Sequence, residues 1–310
     1  MPYKKIVIAG GGVLGSQIAF QAAYCGFDVT IWLRSKGSIG RTQPKLDRLR
    51  TTYIDAINEM ASGGAWCAGI ADSDAPLDKE ACLARVEAAY SGLKLELDMA
   101  AAVADADLVI ESMAEDPKAK IEFYQKLAPL LPAKTVVATN SSTLLPSQFA
   151  KYTGRPEKYL SLHFANSIWK NNTAEVMGQA QTDPAVFDQL IEFANQIRMI
   201  ALPVKKEKNG YLLNSMLVPF LLSGLDLWAS GVSDPRSIDI AWTHGTGAPK
   251  GPFQIIDTVG LATAYNIVMQ YQSVPGLLSP LLKKMTMPYN FKAMAKLIKN
   301  MMDKGEKFYG

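Results

Sequence analysis

The sequence predicts an α/β Rossmann-type dinucleotide-binding domain followed by an all-α C-terminal domain. The first part rests on the order strand, glycine-rich turn, helix and strand near the N-terminus. An apolar run at 6–8 leads into Gly10-x-Gly12-x-x-Gly15, and a second apolar run follows at 29–33. The second part rests on the last third of the chain, where strand-like runs stop and long apolar helical stretches replace them.

The glycine motif predicts a site for the phosphates of a dinucleotide. Gly10 permits the tight turn, Gly12 lets the backbone approach a pyrophosphate, and Gly15 lets helix and strand pack closely. The helix that begins at Val13 and Leu14 offers its first N–H groups and the positive end of its dipole to the phosphates. The alternative is a glycine-rich turn that binds nothing.

The end of the second strand bears on the choice between NAD and NADP. NAD-selective sites usually carry Asp or Glu there to hold the ribose 2′-hydroxyl, whereas this chain has Leu33 followed by Arg34. The nearest acid, Asp28, lies at the start of that strand. Because no carboxylate repels a 2′-phosphate and Arg34 can pair with it, the sequence favours NADP over NAD. The alternative is an NAD site in which Arg34 is an exposed loop charge.

Helices and strands alternate through the rest of the first domain. Helices are predicted at 44–61, 78–90, 99–106, 117–131, 146–151 and 184–197, and strands at 93–97, 107–111, 135–139, 159–163, 174–177 and 199–204. Helices alone are then predicted at 212–227, 237–243, 262–271 and 291–302. We therefore expect a Rossmann-type NAD(P)-binding domain at 1–203 and a helical substrate and dimerisation domain at 204–310, with the substrate in the cleft between them.

Composition excludes several classes of function. The chain has 310 residues, of which 48% are hydrophobic and 20% charged, as in globular proteins. The net charge of +3, with acids and bases interspersed, gives no basis for nucleic-acid binding. We expect no signal peptide and no membrane span. Three cysteines without metal-ligand spacing predict no metal site and a reduced, cytoplasmic protein.

Two histidines are candidates for proton transfer at neutral pH. His163 lies at the predicted carboxyl end of a strand, where open α/β sheets place their ligands. Glu175 follows after a polar turn, and two adjacent antiparallel segments would bring its carboxylate to the imidazole, although unrelated surface residues can share this spacing. His244, among glycines, is predicted to lie in a loop. The hydroxyls of 141–143, which follow Asn140 at another strand end, either cap a helix or face the site.

With these residues in view, the sequence resembles the 3-hydroxyacyl-CoA dehydrogenase family almost from end to end. The resemblance lies in short motifs whose order and spacing agree with the family's: Gly10-Gly-Gly-Val-Leu-Gly15, Ala106-Asp-Leu-Val-Ile-Glu111, Glu115-x-x-x-x-Lys120, Thr139-Asn-Ser-Ser142, His163-Phe-Ala-Asn166, Glu175, Gly210-Tyr-Leu-Leu-Asn214, and Gly247-Ala-Pro-Lys-Gly-Pro-Phe253 with Asp257 and Gly260. It implies a Rossmann-type domain, a helical domain that dimerises, and an L-3-hydroxyacyl-CoA substrate.

The resemblance also implies roles for individual residues. His163 is the expected general base for the substrate hydroxyl, oriented and stabilised by Glu175. Ser142 and Asn214 are expected to hydrogen-bond the hydroxyl or keto oxygen. The resemblance implies contacts with the cofactor for Glu115, Lys120 and Asn166. From their positions in the sequence, the glycine turn, Leu33, Arg34 and Asn140 are also expected to contact it.

The chain departs from the family's pattern in four places. Leu33 stands where the family has an acid, and Ser167 stands where it usually has proline. Residues 168–172 are bulkier and more polar than expected, which bears on the acyl group, and the tail 304–310 only echoes a glycine-rich C-terminal motif. A CoA substrate would need basic residues for its 3′-phosphate, and the candidates are Lys45, Arg48 and Arg50. The alternative is that these three side chains form an exposed helix face.

Three functional hypotheses follow. The leading one is NAD(P)-dependent oxidation of short L-3-hydroxyacyl-CoA thioesters to 3-ketoacyl-CoA, or the reverse reduction, by a homodimer associated through its C-terminal domain. The second keeps this chemistry but takes a free 3-hydroxy compound, as relatives that act on gulonate or carnitine do. The third is a dinucleotide-binding protein without catalysis, against which the complete set of catalytic residues argues.

Overall fold

The computed structural model describes residues 3–272 and 289–309. The chain divides into two compact units, residues 1–212 and 213–310. The first unit is an α/β fold, and the described part of the second contains α-helices and no strands. The predicted fold class is therefore confirmed.

The first unit is built on a single sheet. Its strands are β1 (Lys5–Ala9), β2 (Asp28–Trp32), β3 (Lys94–Glu96), β4 (Leu108–Glu111), β5 (Val136–Thr139), β6 (Tyr159–Phe164), β7 (Thr173–Met177) and β8 (Ile200–Val204). They lie in the order β3-β2-β1-β4-β5-β6-β7-β8, parallel except that β7 runs antiparallel to β6. The strand order reverses where β1 lies beside β4, and ligands of doubly wound sheets bind at the carboxyl ends of the strands beside such a switch point.

Helices cover both faces of this sheet. They are α1 (Val13–Tyr24), α2 (Lys36–Ala61), α3 (Lys79–Gly92), α4 (Met99–Val103), α5 (Pro117–Leu127) and α6 (Pro184–Gln196). Alternate strand residues enter different cores: Ile6 and Ile8 pack with α1, α2, α3 and α6, whereas Val7 and Ala9 pack with α4 and α5. Burial on both faces explains why the central strands are continuous apolar runs.

Two predicted helices of this unit differ in the structure. The prediction that a helix starts at Pro44 is wrong, because α2 continues through that proline from an earlier start. Thr42 is buried and its hydroxyl donates to the Gly11 carbonyl at 3.2 Å, so packing against the glycine turn outweighs the backbone hydrogen bond that proline cannot make. The helix predicted at 146–151 is instead two short 3₁₀ turns, Pro146–Gln148 and Ala150–Tyr152.

The described part of the second unit is a group of helices around one apolar core. They are α7 (Leu213–Ala229), α8 (Pro235–Thr246), α9 (Pro252–Val259), α10 (Leu261–Gln272) and α11 (Phe291–Lys304). The sequence did not predict α9, whose N-terminus is stabilised from a distance: the buried Asp239 carboxylate accepts hydrogen bonds from the N–H groups of Phe253 and Gln254. The prediction of a loop at His244 is wrong, because α8 continues through it and ends at Gly247, whose φ of 73° suits glycine.

The C-terminal tail packs on the helical unit. The N–H groups of Phe308 and Tyr309 donate to the Asp257 carboxylate at 3.1 and 2.8 Å. The ring of Phe308 contacts the rings of Trp228 and Phe253. In the described chain, the tail thus completes the core of this unit.

The first unit ends at Leu212, whereas the sequence pattern places the domain boundary near 203. The segment 205–212 stays with the first unit because Tyr211 packs with Met177 and Val204. Among the helices that the described residues form, none combines the length and the apolar character needed to cross a bilayer.

Candidate active site

The turn between β1 and α1 depends on close packing at two of its glycines. A Cβ atom on Gly10 would lie 2.5 Å from the Ser112 carbonyl oxygen, and one on Gly15 would lie 2.1 Å from the Gly10 carbonyl oxygen. Gly10 also has a φ of 119°, which other residues rarely adopt. Around Gly12, by contrast, no described atom lies within 4 Å of the Cβ position. The turn is therefore packed at Gly10 and Gly15 and open to a ligand at Gly12.

The start of α1 adds a positive potential to this opening. Its N-cap is Gly12, so no side chain accepts a hydrogen bond from the first turn, and that turn contains no acid. Val13, its first residue, is 62% exposed. Unpaired N–H groups at the positive end of a helix dipole suit an anionic ligand such as a pyrophosphate.

A cavity of about 280 Å³ lies beside the glycine turn; we call it the cofactor cavity. Its walls come from the glycine turn, the end of β2, the first turns of α2 and the residues that follow β4. Four residues that the sequence assigned to the cofactor line it together: Gly10, Gly12, Leu33 and Arg34. Leu33 is buried in the wall and offers no polar group to a ligand.

Three cations, Arg34, Arg41 and Lys45, line one side of the cofactor cavity and form what we call the cationic rim. Arg41 donates to the Ser38 hydroxyl at 3.0 Å, and Lys45 donates to the Arg41 carbonyl oxygen. Within the described chain, no carboxylate forms a salt bridge with any of the three. Their charges are therefore not neutralised by the fold and suit a phosphate group.

The proton-transfer site consists of His163, Glu175 and Ser142. His163 on β6 lies directly opposite Glu175 on β7 in the antiparallel register, and Nδ1 is 2.9 Å from the carboxylate Oε2. On the other side of the ring, Nε2 is 3.2 Å from the Ser142 hydroxyl. His163 and Glu175 are both buried, at 5% and 3% exposure. The hairpin spacing therefore produces the pair that the sequence suggested.

The carboxylate determines which imidazole nitrogen carries the proton in the neutral ring. An ionised carboxylate can only accept hydrogen bonds, so Nδ1 donates to Glu175 and Nε2 keeps its lone pair. The other carboxylate oxygen of Glu175, Oε1, accepts the N–H of Leu212 at 2.8 Å. In this geometry Nε2 of His163 can accept a proton, and the Glu175 carboxylate lies where it can stabilise a positive ring.

The loop that carries Ser142 is held by Glu115. The Ser141 hydroxyl and the Ser142 N–H both donate to this carboxylate, at 2.6 and 2.7 Å. The sequence assigned Glu115 to the cofactor, and in the structure its carboxylate holds the loop that carries Ser142. Asn140 links two strand ends, because its side-chain oxygen Oδ1 accepts a hydrogen bond from the Phe164 N–H at 3.2 Å.

Lys120 lies away from the cofactor cavity. Its ammonium donates to both oxygens of Glu111 at 2.6 and 2.7 Å, and both side chains are almost completely buried. Asn166 lies beyond β6, where its carbonyl oxygen accepts the Asn171 amide at 2.8 Å. Asn214 belongs to α7 in the helical unit.

In the part of the chain that is described, no three His, Cys, Asp or Glu side chains are placed to hold a metal ion.

Sequence comparison identifies the family. The family profile of the 3-hydroxyacyl-CoA dehydrogenase NAD binding domain matches residues 5–208, and that of the 3-hydroxyacyl-CoA dehydrogenase C-terminal domain matches residues 210–310. The chain belongs to the 3-hydroxyacyl-CoA dehydrogenase family. The predicted resemblance and the expected class of oxidoreductase are confirmed.

Proteins similar to this chain are named for different activities. The 3-hydroxybutyryl-CoA dehydrogenase of Clostridioides difficile is 29% identical over 259 residues, which cover 83% of each chain. The mitochondrial hydroxyacyl-coenzyme A dehydrogenase of Rattus norvegicus is 29% identical over 261 residues, 84% of this chain and 77% of the rat protein. Among solved structures, a diketoreductase described in terms of dual catalysis of dicarbonyl compounds is 42% identical, with a TM-score of 0.82 over 99% of this chain and 98% of that one.

The segment that departs from this dehydrogenase family's pattern after His163 has a structural explanation. Ser167 has a φ of 58°, a conformation that the ring of proline excludes. The following residues turn inward: Ile168 is fully buried, and the ring of Trp169 packs against Tyr53 on α2. Ile168 and Trp169 therefore pack with the core of the first unit, whereas Lys170 and Asn171 are exposed.

Two contributors to the site escaped the sequence argument. Tyr211 stacks on the His163 imidazole, with 4.5 Å between ring centroids and 14° between planes. Gly11 is as closely packed as Gly10 and Gly15, since a Cβ atom on it would lie 2.0 Å from the Thr42 hydroxyl oxygen. The only sequence signal for either contact was its position beside a glycine of a family motif, Gly210 or Gly10.

Proposed function

We propose that this dehydrogenase interconverts the 3-hydroxyl and 3-keto groups of a short 3-hydroxyacyl-CoA thioester, with His163 as the general base. The observation that carries the proposal is the buried chain of hydrogen bonds from Glu175 through the imidazole to Ser142. A histidine with one nitrogen held by a carboxylate and the other directed to a hydroxyl is suited to move a proton at neutral pH.

Residues of this chain perform the proton half of the reaction. During oxidation, Nε2 of His163 takes the proton of the substrate hydroxyl while Glu175 stabilises the positive ring. In the free protein the Ser142 O–H donates to Nε2; with substrate bound, the substrate hydroxyl replaces it there, and the Ser142 O–H donates to the substrate oxygen and holds it beside Nε2. Asn214 is expected, from the family motif alone, to bind the same oxygen. In the reverse direction the imidazolium returns the proton.

The cofactor is a nicotinamide dinucleotide, which accepts the hydride in oxidation and donates it in reduction. The glycine turn and the start of α1 suit its pyrophosphate because the turn has open space at Gly12 and no side chain caps the first N–H groups of the helix. We propose that NADP is preferred, because the cationic rim suits a 2′-phosphate and Leu33 offers no carboxylate to a ribose hydroxyl. Arg34 is the rim residue that adjoins Leu33 in sequence, so it is the first candidate for that phosphate.

A second candidate substrate class is a free dicarbonyl compound without CoA. Two observations favour it: the 42% identity to a diketoreductase along the whole chain, and the positions of the basic residues considered for CoA. Lys45 lines the cofactor cavity, and Arg50 forms a salt bridge with Glu87. Two of the three candidate contacts for the CoA 3′-phosphate therefore have another position or another partner in the structure.

The deciding experiment follows the absorbance of the reduced nicotinamide with four combinations: NADPH or NADH, each with acetoacetyl-CoA or with ethyl acetoacetate, a dicarbonyl ester without CoA. A higher kcat/KM on the thioester supports the CoA proposal, and a higher value on the free ester replaces it by the dicarbonyl alternative. A higher kcat/KM with NADPH supports the cofactor proposal, and preference for NADH contradicts it. Binding of either cofactor without turnover on any 3-keto or 3-hydroxy compound would contradict the enzymatic proposal.

We also propose that the protein is a homodimer associated through its helical unit. Apolar side chains of this unit are exposed, among them Met216 at 67%, Ile240 at 47% and Trp242 at 41%. Exposed apolar side chains of this size are typical of an interface. Light scattering coupled to size exclusion tests this, and a mass equal to one chain contradicts it.

A further inference from the structure

The contact between Tyr211 and His163 has a consequence for catalysis, and it deepens the proposed function. The two rings are nearly parallel, 14° apart, with centroids separated by 4.5 Å. Tyr211 is 1% exposed, so the contact is shielded from water. The hydrogen bonds at Nδ1 and Nε2 hold the two edges of the imidazole but place nothing against its face. A ring packed flat against the imidazole covers that face.

The hydroxyl of Tyr211 reaches the loop that carries Ser142, the residue whose hydroxyl lies beside Nε2 of the imidazole. The Tyr211 hydroxyl donates to the Ser141 carbonyl oxygen at 2.7 Å. The next residue, Ser142, places its own hydroxyl 3.2 Å from Nε2 of His163. Ser141 is also held through its side chain by Glu115 and through its N–H by the Thr139 hydroxyl. Tyr211 thus supplies one of three supports for the loop that carries Ser142.

The backbone around Tyr211 is shaped for these contacts. Tyr211 has a φ of 51°, an uncommon conformation for an aromatic residue, and it follows Gly210 with a φ of 80°. The next N–H, that of Leu212, donates to Glu175. One turn of chain therefore contacts the imidazole face, the carboxylate and the serine loop, and backbone strain that persists at such a place is a sign of function.

We propose that Tyr211 is a positioning residue of the proton-transfer site. Its ring holds the plane of the imidazole, and its hydroxyl holds the serine loop, so that Nε2 and the Ser142 hydroxyl meet the same substrate oxygen. The role rests on the proposed function, since it acts through His163, but the stacking itself is measurable without any substrate.

Two substitutions separate the ring from the hydroxyl. Tyr211→Phe keeps the stacked ring and removes one neutral hydrogen bond, so kcat should fall by about two- to tenfold. Tyr211→Leu removes the ring as well and releases the imidazole, and kcat should fall by about a hundredfold, the cost of a small misplacement of reacting groups. KM and the Kd for the cofactor should change by less than about twofold, since neither ligand is bound by Tyr211.

A matched control is Tyr159→Phe, which removes a buried hydroxyl hydrogen bond to Tyr124 elsewhere on the same sheet. Both Tyr159→Phe and Tyr211→Phe should lower the melting temperature, because each removes a buried hydroxyl. Only Tyr211→Phe should lower kcat. If Tyr211→Leu does not fold, Tyr211→Met fills the space with a flexible apolar side chain and serves the same test. Equal kcat in the Phe and Leu variants would overturn the role of the ring, and kcat at the wild-type level in both would overturn the proposal entirely.

A spectroscopic readout makes the inference independent of turnover. The chain has two histidines, so selective ¹⁵N-histidine labelling yields two imidazole spin systems, which His244→Gln assigns. The His163 signals should keep their position in Tyr211→Phe, and lose the ring-current displacement and broaden in Tyr211→Leu. If the wild-type protein turns over no substrate, the proposed function fails and this signature alone decides. Identical His163 signals in the wild-type protein and the Leu variant would refute the positioning role.

Discussion

The cofactor cavity and the proton-transfer site lie on the same sheet but are built in opposite ways. Around the cavity, the described chain supplies no negative group: the first N–H groups of α1 have no side-chain cap, and no carboxylate forms a salt bridge with the cationic rim. At the proton-transfer site, both ring nitrogens of His163 and both carboxylate oxygens of Glu175 already have hydrogen-bond partners. The first region is unsatisfied until a ligand arrives, whereas the second is satisfied in advance.

This difference follows from the two tasks. Binding gains most when the ligand supplies the partners that the protein lacks, because each new charge-assisted hydrogen bond then counts toward affinity. Proton transfer gains most when the reacting groups need no reorganisation at the moment of reaction. Substitutions in the two regions should therefore have different signatures: those in the cavity change affinity, and those at the proton-transfer site change kcat.

The largest effect is expected at His163. Replacement by glutamine keeps a polar side chain but removes the group that takes the proton, so kcat should fall at least about a hundredfold. Cofactor affinity, measured by fluorescence titration, should stay within about twofold of the wild-type value because His163 is not part of the cavity walls. The matched control is His244→Gln, which changes an exposed histidine and should leave kcat unchanged. Near-normal turnover of the His163 variant would exclude it as the general base.

The second-largest effect tests whether the buried Lys120 stabilises the fold or binds the cofactor. Lys120→Met leaves the buried Glu111 carboxylate without its cation, so the free energy of unfolding should fall by about 3–5 kcal/mol. Chemical denaturation without cofactor measures it. Lys118→Met, on the exposed side of the same helix, should change stability by less than about 0.5 kcal/mol. Unchanged stability with weakened cofactor binding would instead assign Lys120 to the cofactor.

A smaller effect is expected where the glycine turn is open. Gly12→Ala meets no described atom within 4 Å, so the apo protein should keep its melting temperature. The added methyl group should keep the backbone from a pyrophosphate and weaken NADPH and NADH alike, by about ten- to a hundredfold for one or two lost hydrogen bonds to a charged group. Gly92→Ala, which also has open space at a helix end, should leave both affinities unchanged. An unchanged Kd for both cofactors would show that the pyrophosphate binds elsewhere.

The smallest effect is the most selective. Arg34→Ala removes one cation from the cationic rim, and NADPH affinity should fall by about tenfold, one charge-assisted hydrogen bond, while NADH affinity stays the same. Competition between the two cofactors in a binding titration measures the ratio. Arg48→Ala, an exposed charge of α2 outside the cavity, should leave that ratio unchanged. Equal losses for NADH and NADPH would argue against a 2′-phosphate contact at Arg34.

Much of the fold could be predicted because the decisive signals are local. The glycine spacing, the apolar strands and the change to long helices each depend on residues close together in the chain. Even the pairing of His163 with Glu175 was accessible, since a hairpin of two antiparallel segments makes residues near its ends into direct partners. The start of α2 and the whole of α9 were not accessible, because Thr42 and Asp239 stabilise them through contacts with Gly11 and with a separate helix end.

The order of elements and the dinucleotide turn were thus decided by the sequence, through short-range geometry and hydrophobic periodicity, whereas the pair of His163 and Glu175 was indicated by the resemblance to the family. The stacking of Tyr211 on His163, the assignment of Lys120 to Glu111 and the assembly of the cationic rim were decided only by the tertiary structure. Each of these three features brings together residues from different parts of the chain, and the distances between those residues depend on how the helices, strands and loops pack. Side-chain packing and buried hydrogen bonds between distant segments set that arrangement, and no local pattern in the chain encodes it.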